Sequence, residues 1–241
     1  DTRGEPDGAA QAIEELALNE GVIAIVGGVS NAEAMRAAIS AEEMAVPFIS
    51  LSKVDGVTGI GPHIFRNMLT SAAQASAIAG YAASRGMTSF ALMYPNTQYG
   101  TELANDFWDQ LESRKLEIRG AEVYEHDRTT FSALVKDLVG KLYLDERTDY
   151  LEQQKEIAKE EKDAFRKRKA MERLRTKLDP IIDFDALFIP DFAKTVALIA
   201  PALAVEDVVT NGCDTKEVDR IKKTTGRDKL KTVQLLGANG W

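Results

Sequence analysis

The sequence predicts an α/β fold of two lobes, each a parallel sheet flanked by helices, with a charged helical arm inserted in the second. Three observations carry this. Short aliphatic runs alternate with amphipathic segments of about three turns, the pattern of βαβ units. The first run, "GVIAIVGG", closes on glycines immediately before a helical pattern. The stretch "IGPHIFRNMLTSAAQ" then breaks the alternation once.

Taken in order, a helix over Ala9–Leu18 precedes a strand at Val22–Val26, and a helix over Ala32–Met44 precedes a strand at Pro47–Leu51. The extended residues around Phe65 and Arg66 follow, and a crossing between lobes is expected at Phe65–Met68, giving a first lobe of residues 1–68 and a second of 69–241. The second lobe continues with helix Ala72–Ser84, strand Ser89–Tyr94, helix Thr101–Arg114, strand Ile118–Tyr124 and a helix starting near Thr130. Strand Ala186–Ile189, the apolar helix Phe192–Ala204 and strand Thr232–Leu236 complete it. Such short aliphatic strands belong to parallel sheets covered on both faces.

One segment, about 142–179, departs from the rhythm. Asp145–Asp179 is mostly charged, without glycine or proline, acidic early and basic late. Leu144, Leu151, Ala158 and Phe165 recur every seven residues, a thin stripe expected to face a second helix. A solvated helix or helical hairpin is the plain reading. A docking arm for a partner, or for self-association, is the sharper one.

A chain of 241 residues with 44% hydrophobic residues can bury a sizeable core. Its net charge of −8 argues against a nucleic-acid partner, whose recognition rests on clustered Lys and Arg. No run approaches the apolar length of a membrane span. The sole cysteine, Cys213, has no neighbouring histidine to generate a thiolate and is expected to be inert; a partner for a disulfide would have to lie outside this sequence. The chain opens on a turn and helix and stops at Trp241 where an α/β chain would continue, so an internal piece of a longer protein is expected.

The turn Gly27-Gly28-Val29-Ser30 admits three devices. A phosphate cradle needs a lysine followed by Ser or Thr after its last glycine, which is missing here. A nucleophile elbow is a closer rival, because Gly28-Val29-Ser30-Asn31-Ala32 fits a relaxed G-x-S-x-[GA] form; a serine hydrolase using Ser30 is therefore the alternative function. It lacks an evident triad, since His63 and His126 are the only histidines. The third device is a helix cap: Ser30-Asn31-Ala32-Glu33 is a capping box at the carboxyl end of a strand, where open α/β sheets bind ligands. Farther on, "PNTQYG" places Tyr99 at a strand-to-helix loop, able to offer a ring and a hydroxyl. Two isolated histidines and one cysteine give no metal-ligand spacing, and no cofactor motif is present.

The order of "AIVGGVSNAEAMRAAISAEEMAVPFISLS", "IFRNMLTSAAQASAIAGYA", "ALMYPNTQYGTELANDFWDQL", "DRTTFSALVKDL" and "VQLLGANGW" resembles the type I periplasmic binding proteins, of the leucine/isoleucine/valine-binding kind that serves ABC transporters. The insert and "FDALFIPDFAKTVALIAPAL" resemble one branch, the penicillin-binding-protein activators, lipoproteins that stimulate peptidoglycan synthesis. The resemblance implies two lobes hinged around a cleft and a periplasmic or extracytoplasmic, non-enzymatic protein, with a lipid anchor if a missing N-terminus supplies one. It places the ligand-binding positions at Ser30, Asn31, Ser52, Lys53, Tyr99, Asp191, Phe192 and Asn239. Amino-acid binders of this kind hold the ligand ammonium with a threonine and a glutamate, where this chain resembles them with Val54 and Asn239, while Lys53 adds a positive charge. An uncompensated ammonium is costly to enclose, which disfavours a free α-amino acid. The implied partners are a different small molecule in the interlobe cleft, an anion being one candidate, or a transporter or cell-wall synthase, the latter if the cleft has lost ligand binding and the fold serves as a protein-interaction scaffold.

Overall fold

The computed structural model describes residues 1–210, 212, 214–226 and 230–241; Cys213 lies outside the described residues. The chain divides into two compact units, Asp1–Gln74 and Ala75–Trp241.

The first unit opens with helix α1 (Pro6–Leu18), whose proline occupies the first turn, where its missing N–H costs no hydrogen bond. Strand β1 (Ile25–Gly27), helix α2 (Asn31–Glu43), β2 (Phe48–Ser50) and β3 (Ile64–Arg66) follow. The three strands pair in parallel in the order β1-β2-β3, with Phe48 beside both Ile25 and Ile64. Those three side chains pack on Ala9, Ile13, Ala37, Ala38 and Ala41 of α1 and α2, and the small alanines let the helices lie close against the sheet. On the opposite face Val26 and Phe65 are 61% and 53% exposed.

Two expectations change here. Val22–Ala24 lies outside β1, because the chain is still turning off α1: the Val22 amide reaches back to the Leu16 carbonyl, and Gly21 sits at φ +59°. Phe65 and Arg66 are themselves paired strand, although the sheet that contains them is separate from the one that follows, as the expected crossing requires. They are the last two residues of β3, opposite Ile49 and Ser50, and the Asn67 amide still bonds Ser50. The compact units divide farther on, inside helix α3 (Ser71–Ser84).

In the second unit β4 (Ser89–Pro95), β5 (Glu117–Tyr124), β6 (Ala186–Phe188) and β7 (Gln234–Leu236) form one parallel sheet in the order β5-β4-β6-β7. Central β4 is buried on both faces, and its alternation separates two cores. Phe90 and Leu92 join Phe188 under α3 and α4 (Gln98–Ser113), while Ala91 and Met93 join Leu187 and Ile189 under α5 (Ser132–Leu138) and α8 (Ala193–Val205). Phe107 of α4 fills the first core, its ring centroid 4.2 Å from Phe188 and edge-on to Phe90 at 5.9 Å.

Asp185, just before β6, staples three strand starts. Its Oδ2 accepts from the amides of Thr88 (2.9 Å) and Ser89 (3.1 Å), and Lys231 Nζ lies 2.9 Å from Oδ1. Partial burial opposes its ionisation, but the Thr88 amide, Lys231 and the Ser89 contacts outweigh that and hold the carboxyl well below its ordinary range.

The charged insert folds as a helical hairpin, α6 (Thr148–Glu160) and α7 (Ala164–Lys177). Its small core joins Tyr150 and Ile157 to Leu174 and Leu178, with Leu144 alongside. The inward stripe thus runs one residue earlier than expected: Leu151, Ala158 and Phe165 face outward. A stripe of residues spaced by seven is satisfied by either register, and packing against Leu174 and Leu178 selects the one through Tyr150 and Ile157. At the neck, Arg147 Nη1 donates to the carbonyls of Gly140 (3.2 Å) and Asp179 (2.9 Å), while its remaining nitrogens pair with Asp149. Helix α9 (Thr215–Thr225) leads toward β7.

Asp185→Asn should lower stability at neutral pH by about 1.5–3 kcal/mol, the range for hydrogen bonds to a charged group. The depressed carboxyl of the folded state favours folding above the unfolded value and loses that contribution as the pH falls through it. Urea titrations should therefore show the gap between wild type and variant closing as the pH drops below the ordinary value of 3.8. A gap that is constant with pH would remove the staple.

Candidate functional site

In a parallel sheet every strand ends on the same edge, and the loops leaving that edge carry the candidate residues. In the first unit, Ser30 caps α2: its Oγ accepts from the Glu33 amide (3.3 Å) and donates to Glu33 Oε2 (2.8 Å). Glu33 also accepts from the Thr2 hydroxyl (2.6 Å), and the hydrogen bonds from Thr2 and then Ser30 hold its carboxyl below the usual range. Of the paired glycines, only Gly28 is required by geometry. It sits at φ +68°, and a Cβ there would lie 2.8 Å from Ala34 Cα, whereas one on Gly27 would meet nothing within 4 Å.

The loop after β2 brings in the next residues. Ser52 is buried; its hydroxyl donates to Asn31 Oδ1 (2.7 Å) and accepts from the Val54 amide (3.1 Å). Ser52 therefore positions Asn31, whose side chain is exposed. Lys53 is half-buried beside it, and Arg66 Nη1 holds the same loop through the Val54 carbonyl (3.0 Å).

In the second unit the loops after β4, β6 and β7 bring Tyr99, Asp191, Phe192 and Asn239 together. The Tyr99 and Phe192 rings stack with centroids 5.3 Å apart, and Phe192 is 58% exposed. The Tyr99 hydroxyl donates to Asn239 Oδ1 (2.9 Å). Burial and the nearby charge of Asp191 raise the Tyr99 phenol, against a Gly240 contact that lowers it.

Asp191 is buried and fully committed. One oxygen accepts from the Tyr124 hydroxyl (2.8 Å), the other from the Phe192 amide (2.7 Å). Burial first, then the hydrogen bond and charge of Asp191, push the Tyr124 phenol up, so it stays a donor. Two supporting residues escape sequence reasoning. Tyr124 reads as the last residue of an alternating strand, and its only signal is that it closes β5 at the carboxyl edge of the sheet. Gly240 reads as part of a terminal loop, yet a Cβ there would lie 2.7 Å from the Asp191 carbonyl and 3.1 Å from the Tyr99 hydroxyl. The Ala193 amide and Trp241 indole close the loop, bonding Gly240 O (3.0 Å) and Ile189 O (2.8 Å).

A separate apolar hollow of about 440 Å³ lies between α3 and β7, lined by Ile78, Tyr81, Leu235 and Trp241 among others. None of the eight candidate residues lines it. Among the described residues no group of His, Cys, Asp and Glu could hold a metal ion, and no helix is long and apolar enough to cross a membrane.

The arrangement around Ser30 does not suit a nucleophile. Its proton goes to a carboxylate, His63 Nδ1 lies 3.1 Å from Glu42 Oε1, and His126 is exposed on the loop after β5. A fluorophosphonate probe should leave the protein unlabelled; labelling abolished by Ser30→Ala would restore the hydrolase reading. Gly240→Ala should destabilise the second unit by about 1–3 kcal/mol through overpacking, with Gly27→Ala within about 0.5 kcal/mol of wild type. Equal effects in denaturant melts would contradict the close approach at Gly240.

No curated protein matches the chain. Among solved structures, a putative branched-chain amino acid ABC transporter from Rhodospirillum rubrum is similar at 15% identity and TM-score 0.57, covering 94% of this chain and 64% of that one. An ABC transporter substrate-binding protein from Desulfitobacterium hafniense is similar at 20% identity and TM-score 0.50, covering 100% of this chain and 54% of that one. Likeness at these identities is likeness of fold, and this chain spans between about half and two-thirds of either protein. The family model described as periplasmic binding protein matches residues 1–141, more than half of the sequence. On that match, the chain belongs to the periplasmic binding protein family.

Proposed function

We propose that this chain is a non-enzymatic, ligand-binding part of an extracytoplasmic solute receptor, and that its ligand is a small anionic solute. Membership of the periplasmic binding protein family supports the location and the role. One observation carries the sign of the ligand: the charge of the candidate set. Asn31 and Asn239 each accept a hydrogen bond on their oxygen, from Ser52 and Tyr99, and Lys53 is a cation. The one carboxylate of the set, Asp191, spends both oxygens on Tyr124 and the Phe192 amide. The set holds one cation, and its single carboxylate is already hydrogen-bonded through both oxygens, a balance that suits a carboxylate or similar anion better than an ammonium. The stacked Tyr99 and Phe192 rings offer a face for an apolar or planar body.

Calorimetry and thermal melting against aromatic and aliphatic organic acids and branched-chain amino acids test this. A ligand at about a hundred times its Kd should stabilise the fold by about 2.7 kcal/mol. Lys53→Gln and Phe192→Ala should each weaken an organic acid about tenfold or more, a loss of at least about 1.4 kcal/mol. Selective binding of amino acids, tightened by Lys53→Gln, would overturn the anionic reading.

A second reading, a lipoprotein regulator of peptidoglycan synthesis, is favoured by the arm, which builds its own small core around Tyr150. It differs in its outcome: no solute would shift the melt, and the chain would bind a purified cell-wall synthase only with the arm intact.

A further inference from the structure

Helix α7 is a basic stretch in an acidic chain. Net charge is −8, yet Arg166–Arg175 contains six Lys and Arg against a single Glu. Leu174 is buried in the hairpin core, which fixes the rotation of the helix. At about 100° per residue, Phe165 then falls on the outward side, with Lys169, Arg173 and Arg166 to one side of it and Arg168 and Arg175 to the other. The burial agrees: those six side chains are all exposed, Phe165 at 63%. Arg168 lies over the Phe165 ring at 5.9 Å.

The cations are not consumed by the hairpin. Arg166, Lys169 and Arg173 line an open hollow of about 380 Å³ with Ala170 and Glu161. Among the described residues no ion pair joins them to α6, whose own acids alternate with Lys155 and Lys159. Massing like charges along one solvent face costs stability unless something outside offsets it.

We propose that the outward face of α7 docks on an anionic phospholipid surface, with Phe165 entering the headgroup region and the flanking cations meeting lipid phosphates. The shape favours a surface over a single bound anion: the cations form a row along the helix on both sides of an aromatic residue, and no buried fork converges on one point. It favours lipid over a second copy of this chain, since the acidic row of α6 (Asp149, Glu152, Glu156 and Glu160) has Lys155 and Lys159 running beside it, which would oppose the cations of α7. The inference stands apart from the solute-binding reading, because it uses none of the candidate ligand residues.

The test is co-sedimentation of the full chain with vesicles of phosphatidylcholine alone and of phosphatidylcholine and phosphatidylglycerol in equal parts. Binding is expected only to the second, and should be lost on raising salt from about 0.1 to about 1 M, where the screening length falls from about 10 to about 3 Å. The combined variant R166Q/K169Q/R173Q should lower the partition coefficient about a hundredfold, while K155Q/K159Q on α6 leaves it unchanged. Circular dichroism on both variants keeps a folding defect distinguishable, and Phe165→Ser, on the exposed face, gives an independent weakening. Binding to neither vesicle, equal binding to both, or a combined variant that binds like wild type would overturn the proposal. A dimer in sedimentation equilibrium that the combined variant dissociates, without vesicle binding, would assign the face to a second copy instead. Capture of an acidic protein without vesicle binding would likewise overturn it.

Discussion

The parallel pairing of β4 with β5 on one side and β6 on the other is the constraint from which the second unit follows. Parallel neighbours cannot be joined by a hairpin, so each return passes through a helix. All four strands therefore deliver their carboxyl ends to one edge. Pro95 stands opposite Tyr124, and Leu92 opposite Phe188, which itself stands opposite Leu236. That register brings the loops bearing Tyr99, Asp191 and Asn239 within hydrogen-bonding reach of one another, although 140 residues separate Tyr99 from Asn239. Burial of β4 on both faces demands the two helical layers, and those layers hold the edge rigid.

Support of the edge is polar where the core is apolar. Asp191 would be an expensive buried charge if alone. The Tyr124 phenol and the Phe192 amide satisfy it, and in doing so fix Phe192 at the start of α8 beside Tyr99. In the first unit Ser52 acts similarly on Asn31, so buried groups at both edges orient exposed ones. Gly28 and Gly240 allow these close approaches, each where an added methyl would strike backbone.

The sequence made the alternation of strands and helices, the Ser30 cap and the helical character of the insert legible, because each is a local property. Period, cap chemistry and charge density act within a few residues. What remained hidden is long-range or degenerate. Tyr124 gains its role from Asp191, 67 residues away, and nothing near Tyr124 announces that contact. Phe65 and Arg66 read as crossing chain rather than strand because an extended segment and an edge strand have the same local signature, and only pairing with Ile49 and Ser50 distinguishes them. The arm's stripe was misplaced by one residue since Tyr150/Ile157 and Leu151/Ala158 share a spacing of seven, and only the opposing Leu174 and Leu178 choose between them.

Net charge is a poor guide to what such a chain binds. An overall −8 opposes extended polyanions such as nucleic acid, but at physiological salt a charge is felt over only about 8 Å. Within that range the local inventory governs. In the first unit Ser52 takes the Asn31 oxygen one residue from the cation Lys53, and on α7 the hairpin places its apolar side inward and the cations outward. Both are consequences of packing rather than composition. An acidic protein can thus present a locally electropositive face, set by which side chains the fold turns outward.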